Sequence, residues 1–230
     1  MTQADHATPG RVVILGGHGK VALRAAGMLA AAGHEVASVI RDPGQADDVR
    51  AAGGEPLVLD IETADTDALA AAFAGSSAVV FSAGAGGGDP ARTRAVDHDA
   101  ATRAMAAAEA SGIARFVMVS YDRADDDVHR VDPDAPIFPY AKAKHDADAH
   151  LRATGLDYTI LGPGRLTEDA GSGRIARSAP GDPAAEGDRR RTSRDNVAAV
   201  IAHVVGQGAA LRDTVRFYDG DTPIAEAIPD

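Results

Sequence analysis

Tyr140 and Lys144 stand four residues apart in the stretch FPYAKAKHDADAHL. On a helix that spacing puts both side chains on one face, one turn apart. A nearby ammonium favours phenolate over phenol and lowers a tyrosine pKa, so Tyr140 is a candidate general acid or base toward a carbonyl or hydroxyl. The chain has four Tyr, and its lysines are Lys20, Lys142 and Lys144, so the pairing is a scarce one. The alternative is a pair on a solvated face with no chemical role.

A second stretch, VVILGGHGKVA over 12–22, suggests phosphate chemistry. An apolar run enters three glycines within four positions, and an Ala-rich segment follows. Amide N–H groups at a helix start lack intrahelical partners and carry the positive end of the helix dipole, which suits a pyrophosphate. Glycine lets the backbone turn tightly and approach a ligand without a Cβ. Two frames fit: Gly17, Gly19 and Ala22 as G-x-G-x-x-A, or Gly16, Gly19 and Ala22 with one more residue in the turn. Gly16, Gly17, His18, Gly19, Lys20 and Val21 are therefore candidate cofactor contacts, His18 through its backbone more than its imidazole. A plain tight turn is the alternative.

The nucleotide is chosen at the end of the next strand. An acidic residue there accepts from the ribose 2′-OH of NAD, whereas an arginine suits the 2′-phosphate of NADP. The stretch SVIRDPGQ puts Arg41 first and Asp42 second, so NADP(H) is favoured over NAD(H) and Asp42 keeps NAD open. Asp60, with Ile61 beside it, closes LVLDI, where its carboxylate either accepts from an adenine amino group or caps the next loop.

These residues need a scaffold. Short, mostly β-branched apolar runs at 11–16, 35–40, 56–61, 78–84, 115–120, 157–162 and 214–220 read as strands covered on both faces, as in a parallel sheet. Helical patterns fill the intervals: 20–32, a shorter one at 43–53, 65–74 with Asp65 or Thr66 as N-cap, about 91–110, about 139–153, and 194–206 capped by Ser193. Gly33, Gly112 and Gly155 read as helix stops. The alternation predicts an α/β fold, a doubly wound, mainly parallel sheet with helices on both faces, as one domain over 1–230. A flexible N-terminus is expected over 1–10. The acidic 122–138 stretch reads as a loop, and the Gly-, Pro- and charge-rich 163–192 stretch as an insertion on the substrate side.

Composition narrows the chemistry. With no Cys, disulfides, thiol catalysis and Cys-based zinc sites are excluded. A net charge of −11 opposes nucleic acid and anionic lipid, leaving a small-molecule substrate as the expected partner. Asp146 and His150 lie one turn apart but lack a third ligand, so no metal is expected. ADDDVH in the acidic stretch and DRRRT at 188–192 read as solvated charge runs. The start, MTQADHATPGR, lacks the apolar core of a secretory signal, and no apolar run is long enough to cross a bilayer, so the cytoplasm is the expected location. The expected state is a monomer or weak homodimer.

Five stretches, in order, carry a resemblance: GGHGKVA, the Arg41 strand end, FVMVSY, YAKAKHDADAHLRATGLDYTILGPGRL and TSRDNVAAVIAHVV. The chain resembles the short-chain dehydrogenase/reductase superfamily, most of all its atypical, NmrA-like branch of small NAD(P)-binding proteins. The resemblance implies a Rossmann-like sheet with NAD(P) along the C-terminal strand ends. It implies Tyr140 and Lys144 beside the nicotinamide ribose, Ser82, Ala83 and Gly84 near the cofactor, and residues 162–165, Pro163 among them, flanking the nicotinamide. Active relatives carry Ser or Thr near the end of the fifth strand; here the run is SYD, with Ser120 as the available donor and Asp122 in the third place. Gly162 stands where relatives tend to have Arg. The implied activity is an NADPH-dependent oxidoreductase acting on a small carbonyl, quinone or flavin. An epimerase or dehydratase built from the same parts and a non-catalytic NADP(H) redox sensor are the alternatives.

Overall fold

A computed structural model describes residues 9–86, 89–179 and 187–229. In chain order the elements are β1 (Arg11–Leu15), α1 (Lys20–Ala31), β2 (Glu35–Ile40), α2 (Ala46–Ala51), β3 (Glu55–Val58), α3 (Thr66–Phe73), β4 (Ser76–Phe81) and α4 (Pro90–Thr93). A π-helical segment, Arg94–Ala100, runs into α5 (Ala101–Ala110). Then come β5 (Arg115–Val119), α6 (Ala124–Arg130), α7 (Phe138–Ala153), β6 (Asp157–Pro163), β7 (Arg165–Thr167), β8 (Arg174–Arg177), β9 (Arg191–Ser193), α8 (Arg194–Gly206), β10 (Asp213–Asp219), β11 (Thr222–Pro223) and α9 (Ile224–Ala227).

The main sheet runs β11-β8-β10-β6-β5-β4-β1-β2-β3. From β3 across to β10 every pairing is parallel, and only β8 runs antiparallel to its neighbours. The doubly wound expectation is met. The order reverses between β1 and β4, and in such sheets ligands bind outside the carboxyl ends of the strands at that reversal.

Apolar strands without alternation serve two cores here. In β1, Val13 and Leu15 pack with α3, the π segment and α5, while Val12 and Ile14 pack with α1 and α8. β4 divides the same way: Val79 and Phe81 to one face, Ala78 and Val80 to the other. Successive side chains point to opposite faces, so a strand roofed on both sides has no polar position to spare.

The acidic stretch differs from the expected loop, because residues 124–130 form α6. Asp125, Asp126 and Asp127 sit in its first turn and His129 and Arg130 in its last, each favourable to the helix dipole. Asp125 then docks it: its oxygens accept from Arg152 at 3.1 and 2.9 Å and from Arg216 at 2.8 Å. Hydropathy reads such a helix as solvent because a charged cluster, not an apolar stripe, holds it. Asp65, not Thr66, caps α3, accepting from the Ala68 N–H at 2.8 Å. Ser193 caps α8 as expected. Gly33 and Gly112 take the left-handed conformation of a helix stop, at φ 94° and 68°. Gly155 does not: α7 ends at extended Thr154, and the Gly155 N–H donates to Glu109. Strand β3 ends at Val58, short of the expected 61, because the Asp60 carboxylate turns the chain by accepting from the Glu62 N–H at 3.0 Å. The 163–192 insertion contributes β7, β8 and β9, β8 joining the main sheet; its residues 180–186 lie outside the described ones. Of the expected flexible N-terminus, residues 1–8 lie outside the described residues, and Gly10 accepts from the Glu35 N–H.

Candidate active site

A cleft follows the carboxyl ends of β2, β1, β4 and β5, and it has two compartments. The first, about 320 Å³, is lined by Gly16–Gly19, Arg41, Asp60, Ile61 and Glu62, with Ser82–Gly84 as a shared floor. The second, about 1100 Å³, begins at Gly19, Lys20 and Val21 and reaches Ser120, Tyr140 and Lys144. A smaller hollow of about 230 Å³ continues past Ser120 and Tyr140 to Pro163. The glycine loop, Arg41, Asp60, Ile61, Ser82–Gly84, Ser120, Tyr140, Lys144 and Pro163 border these adjoining compartments; Asp42 and Gly162 do not.

The three loop glycines have different jobs. A Cβ at Gly16 would lie 2.7 Å from the Ala83 Cα, and Gly16 has φ 77°. A Cβ at Gly17 would lie 2.6 Å from the Ser38 Cβ. Both glycines let the loop press against β4 and β2. Gly19 is exposed, with an ordinary φ of −62°, and its nearest obstacle is the Gly16 carbonyl at 3.1 Å. It is the N-cap of α1 and gives no side-chain cap, and the first turn holds no acidic residue. The opening N–H groups of α1 are left for an anion. The His18 imidazole turns to Asp48, 2.8 Å away, which leaves its backbone as the loop's contribution.

At the Arg41 end of the cleft that residue does not stand alone. Its guanidinium donates to Glu62 Oε1 at 3.0 Å, and the Arg92 Nε donates to the same oxygen at 3.0 Å. Arg92 comes from α4 and also donates to the Ala85 carbonyl at 2.7 Å. Asp42 is occupied as the cap of a short turn, accepting from the Gly44 N–H at 2.8 Å. Asp60 lines the compartment while also capping the loop, so its two readings coexist.

At the other end α7 brings Tyr140 and Lys144 together, with the Lys144 ammonium 6.0 Å from the Tyr140 ring centroid. Lys144 is buried. It donates to the Val119 carbonyl at 3.1 Å and pairs with the equally buried Asp97 at 3.1 Å. Asp97 comes from the π segment and also accepts from the Ala85 N–H at 3.0 Å. Burial works to lower the Lys144 pKa, but Asp97 overrides it and the net shift is upward, so the ammonium stays charged. Tyr140 corrects the sequence expectation. Burial raises its pKa, and the opposing pull of Lys144 is outweighed, with Asp97, Asp148 and Asp122 adding to the rise. The phenol keeps its proton.

Ser120 follows β5. Its N–H donates to the Leu161 carbonyl and its hydroxyl to Asp148 Oδ2 at 2.6 Å. Asp122, the third residue of SYD, is a buried tie: Arg190 donates to it at 2.7 and 2.5 Å and the Tyr218 hydroxyl at 3.0 Å. Asp122 thereby fastens the end of β5 to the 163–192 insertion and to β10. Sequence reading missed Arg92, Glu62, Asp97 and Asp148. For Asp148 a signal existed, since it lies four residues past Lys144 on the same face. For the others there was none, because their partners arrive through tertiary packing. Among the described residues no three His, Asp or Glu side chains converge as a metal set, and no helix is long and apolar enough to cross a membrane.

Parallel strands reversing at β1/β4, a glycine loop opening α1, and a Tyr–Lys pair across the cleft define a Rossmann-like dinucleotide-binding protein. A profile of the family described as NAD(P)H-binding matches residues 16–207, and the chain belongs to that family, in agreement with its resemblance to the NmrA-like branch. A Bacillus subtilis protein named "uncharacterized sugar epimerase YhfK" is 33% identical, over 95% of this chain and 98% of its own. A solved structure from Bacillus halodurans, provisionally described as an NAD-dependent epimerase/dehydratase, is 35% identical and superposes with a TM-score of 0.82, covering 94% of this chain and 97% of that one. The oxidoreductase ylbE of Lactococcus lactis, 24% identical with 94% of each chain covered, has the same fold with a TM-score of 0.79.

Proposed function

We propose that the protein is an NADPH-dependent oxidoreductase acting on a small carbonyl, quinone or flavin. The observation that carries this reading is the Asp97–Lys144–Tyr140 arrangement at the open end of a cleft whose other end is a glycine loop. The nicotinamide, when bound, supplies the hydride. When the cofactor is bound, backbone N–H groups at the start of α1 would hold its pyrophosphate and Lys144 would hold its ribose. Tyr140, kept protonated by burial, gives its proton to the oxygen of the acceptor. Ser120 is a second donor, so the SYD run has not lost its hydroxyl: Asp122 is a structural tie and Ser120 borders the cavity. The wall of Pro133, Pro136, Ile137, Pro139 and Leu166 is apolar and suits a flat acceptor such as a quinone or flavin.

The preference for NADPH rests on the two guanidiniums meeting at Glu62. A 2′-phosphate brought to Arg41 and Arg92 takes over from one carboxylate oxygen, and Asp42, the residue that would favour NAD, is engaged by its own turn. The epimerase name carried by relatives describes a reaction that this pocket supports less well. Removing a proton from a sugar hydroxyl calls for a phenolate, and burial of Tyr140 disfavours that form.

Steady-state oxidation of NADPH and NADH against a panel of quinones, flavins and aldehydes tests the reading. Turnover with NADPH as the better reductant is expected. No turnover with any acceptor, alongside tight NADPH binding, would favour the sensor alternative instead.

A further inference from the structure

Among the described residues Asp148 is an unusual carboxylate. It is 1% exposed, behind the cavity rather than in it. Its Oδ2 takes the Ser120 hydroxyl at 2.6 Å, and its Oδ1 is buried with no hydrogen-bond partner. An ionised carboxylate with one oxygen dry and unpartnered is costly, whereas a neutral acid keeps a carbonyl oxygen there at much lower cost. The surrounding charges do not supply what is missing. Lys144, one turn back on α7, is already engaged by Asp97 of the π segment and the Val119 carbonyl. Arg152, one turn on, is engaged by Asp125 of α6, which also draws Arg216 of β10 and His145.

We propose that Asp148 is a positioning residue that carries a proton near neutral pH and donates it to Ser120 Oγ, which turns the Ser120 hydroxyl hydrogen into the cavity as a donor to the acceptor's oxygen. When Asp148 ionises, the same hydrogen swings back to its carboxylate. Ser120 then offers the cavity only lone pairs. Ionisation releases one proton to solvent, and the hydrogen bond between Ser120 and Asp148 reverses direction. The directional switch lies in the right range, because burial pushes the Asp148 carboxyl up to about 7 against the opposing Ser120 hydrogen bond and Lys144. Asp97 and Asp122, unlike Asp148, are each paired directly with a cation, Lys144 and Arg190.

The role of Ser120 as a donor rests on the reductase reading, so the proton and its coupling are measured without turnover. Infrared difference spectra of the whole protein, titrated between about pH 5 and about pH 9, should contain a carboxylic-acid C=O band that disappears with a midpoint near neutrality and is missing in Asp148→Asn. In Ser120→Ala the band should shift and its midpoint should rise by on the order of one pH unit, since the ionised form loses its donor. A band that persists in Asp148→Asn, or an unmoved midpoint in Ser120→Ala, overturns the proposal. With an accepted substrate, the wild-type rate should fall through that same midpoint. Asp148→Asn should keep the low-pH rate throughout, because its carboxamide N–H donates to Ser120 at every pH. A limb that survives in Asp148→Asn also overturns the proposal, whereas absence of turnover with the expected infrared behaviour strikes the reductase reading alone.

Discussion

The two ends of the cleft are built from different materials. At the nucleotide end the contacts are backbone: the uncapped start of α1, an exposed Gly19, and a floor of Ser82–Gly84. At the nicotinamide end they are side chains drawn from distant elements: Lys144 from α7 on Asp97 from the π segment, Ser120 after β5 on Asp148 of α7, Asp122 on Arg190 and Tyr218. A backbone site needs only a local conformation, so any strand–glycine–helix junction can present one. A side-chain site needs its charges desolvated and paired before a ligand arrives, because an unpaired buried charge is not tolerated. On the proposed reading the first end supplies binding that is indifferent to the reaction, and the second holds the groups on which the reaction depends. Substitutions at the two ends should separate affinity from turnover.

The largest effect belongs to the nicotinamide end. Tyr140→Phe removes the phenolic proton and little else, since the ring still packs against Tyr121, tilted by 40° with centroids 5.2 Å apart. General acid catalysis contributes about a hundredfold to ten-thousandfold, so kcat should drop within that range while NADPH affinity holds. Stopped-flow measurement of hydride transfer in the variant checks it, and an undiminished rate would move the proton donor elsewhere.

Next comes the nucleotide end, where two glycines two residues apart should fail in opposite ways. Gly19→Val puts a branched side chain over the N–H groups that await the pyrophosphate, at a φ that any residue accepts. Loss of NADPH affinity by about a hundredfold or more is expected, with the melting temperature near that of the wild type. Gly17→Ala forces a methyl against Ser38, and overpacking of this kind costs about 1–3 kcal/mol of stability. Calorimetry and thermal melts on both variants decide whether Gly19 faces the ligand and Gly17 the core; a similar loss of binding and stability in both would erase the distinction.

The same contrast explains what the sequence conveyed. The seven main strands, their helices and the glycine loop follow from hydropathy period, caps and stops, which act within a few residues. The Tyr140–Lys144 pair was legible for the same reason, as an i, i+4 spacing. Asp97 and Arg190 were not, because nothing local marks a carboxylate as the partner of a lysine some fifty residues away or an arginine as the tie of Asp122. Helix α6 escaped notice on similar grounds, being held by Arg152 and Arg216 rather than by its own apolar face. Even the Tyr140 pKa was read with the wrong sign, since spacing reveals the ammonium but not the burial that outweighs it.

A smaller effect is expected at the one place where side chains serve the nucleotide end. Arg41→Ala should remove most of a preference for NADPH over NADH, a change of about tenfold to a hundredfold, as one charge-assisted phosphate contact of ~1.5–3 kcal/mol disappears. Arg92→Ala should remove a further part, because both guanidiniums meet the same Glu62 oxygen. Paired titrations with both nucleotides measure it, and equal wild-type affinities would withdraw the NADP assignment.

The smallest effect is thermal, and it asks whether the nicotinamide end carries a latent charge. Asp148 has a folded pKa of about 7, above its ordinary 3.8. Below 3.8 the carboxyl is protonated in both states and the buried site is at ease. As pH rises from there toward 7 the unfolded chain gives up its proton and the folded chain does not, so the folded state binds more protons and stability falls through this window. Above 7 both forms are ionised and the slope from this group ends. Asp148→Asn has no proton to lose and should lack this decline. Its melting temperature should therefore gain on the wild type between about pH 4 and about pH 7, by on the order of 10 °C, and run parallel to it beyond. The nucleotide-end variant Arg41→Ala, altering an exposed charge, should follow the wild-type curve throughout. Melting curves of the three proteins across that range carry the test: parallel wild-type and Asp148→Asn curves would mean that Asp148 is already ionised in the folded state, and the buried end would then hold its full charge at every working pH.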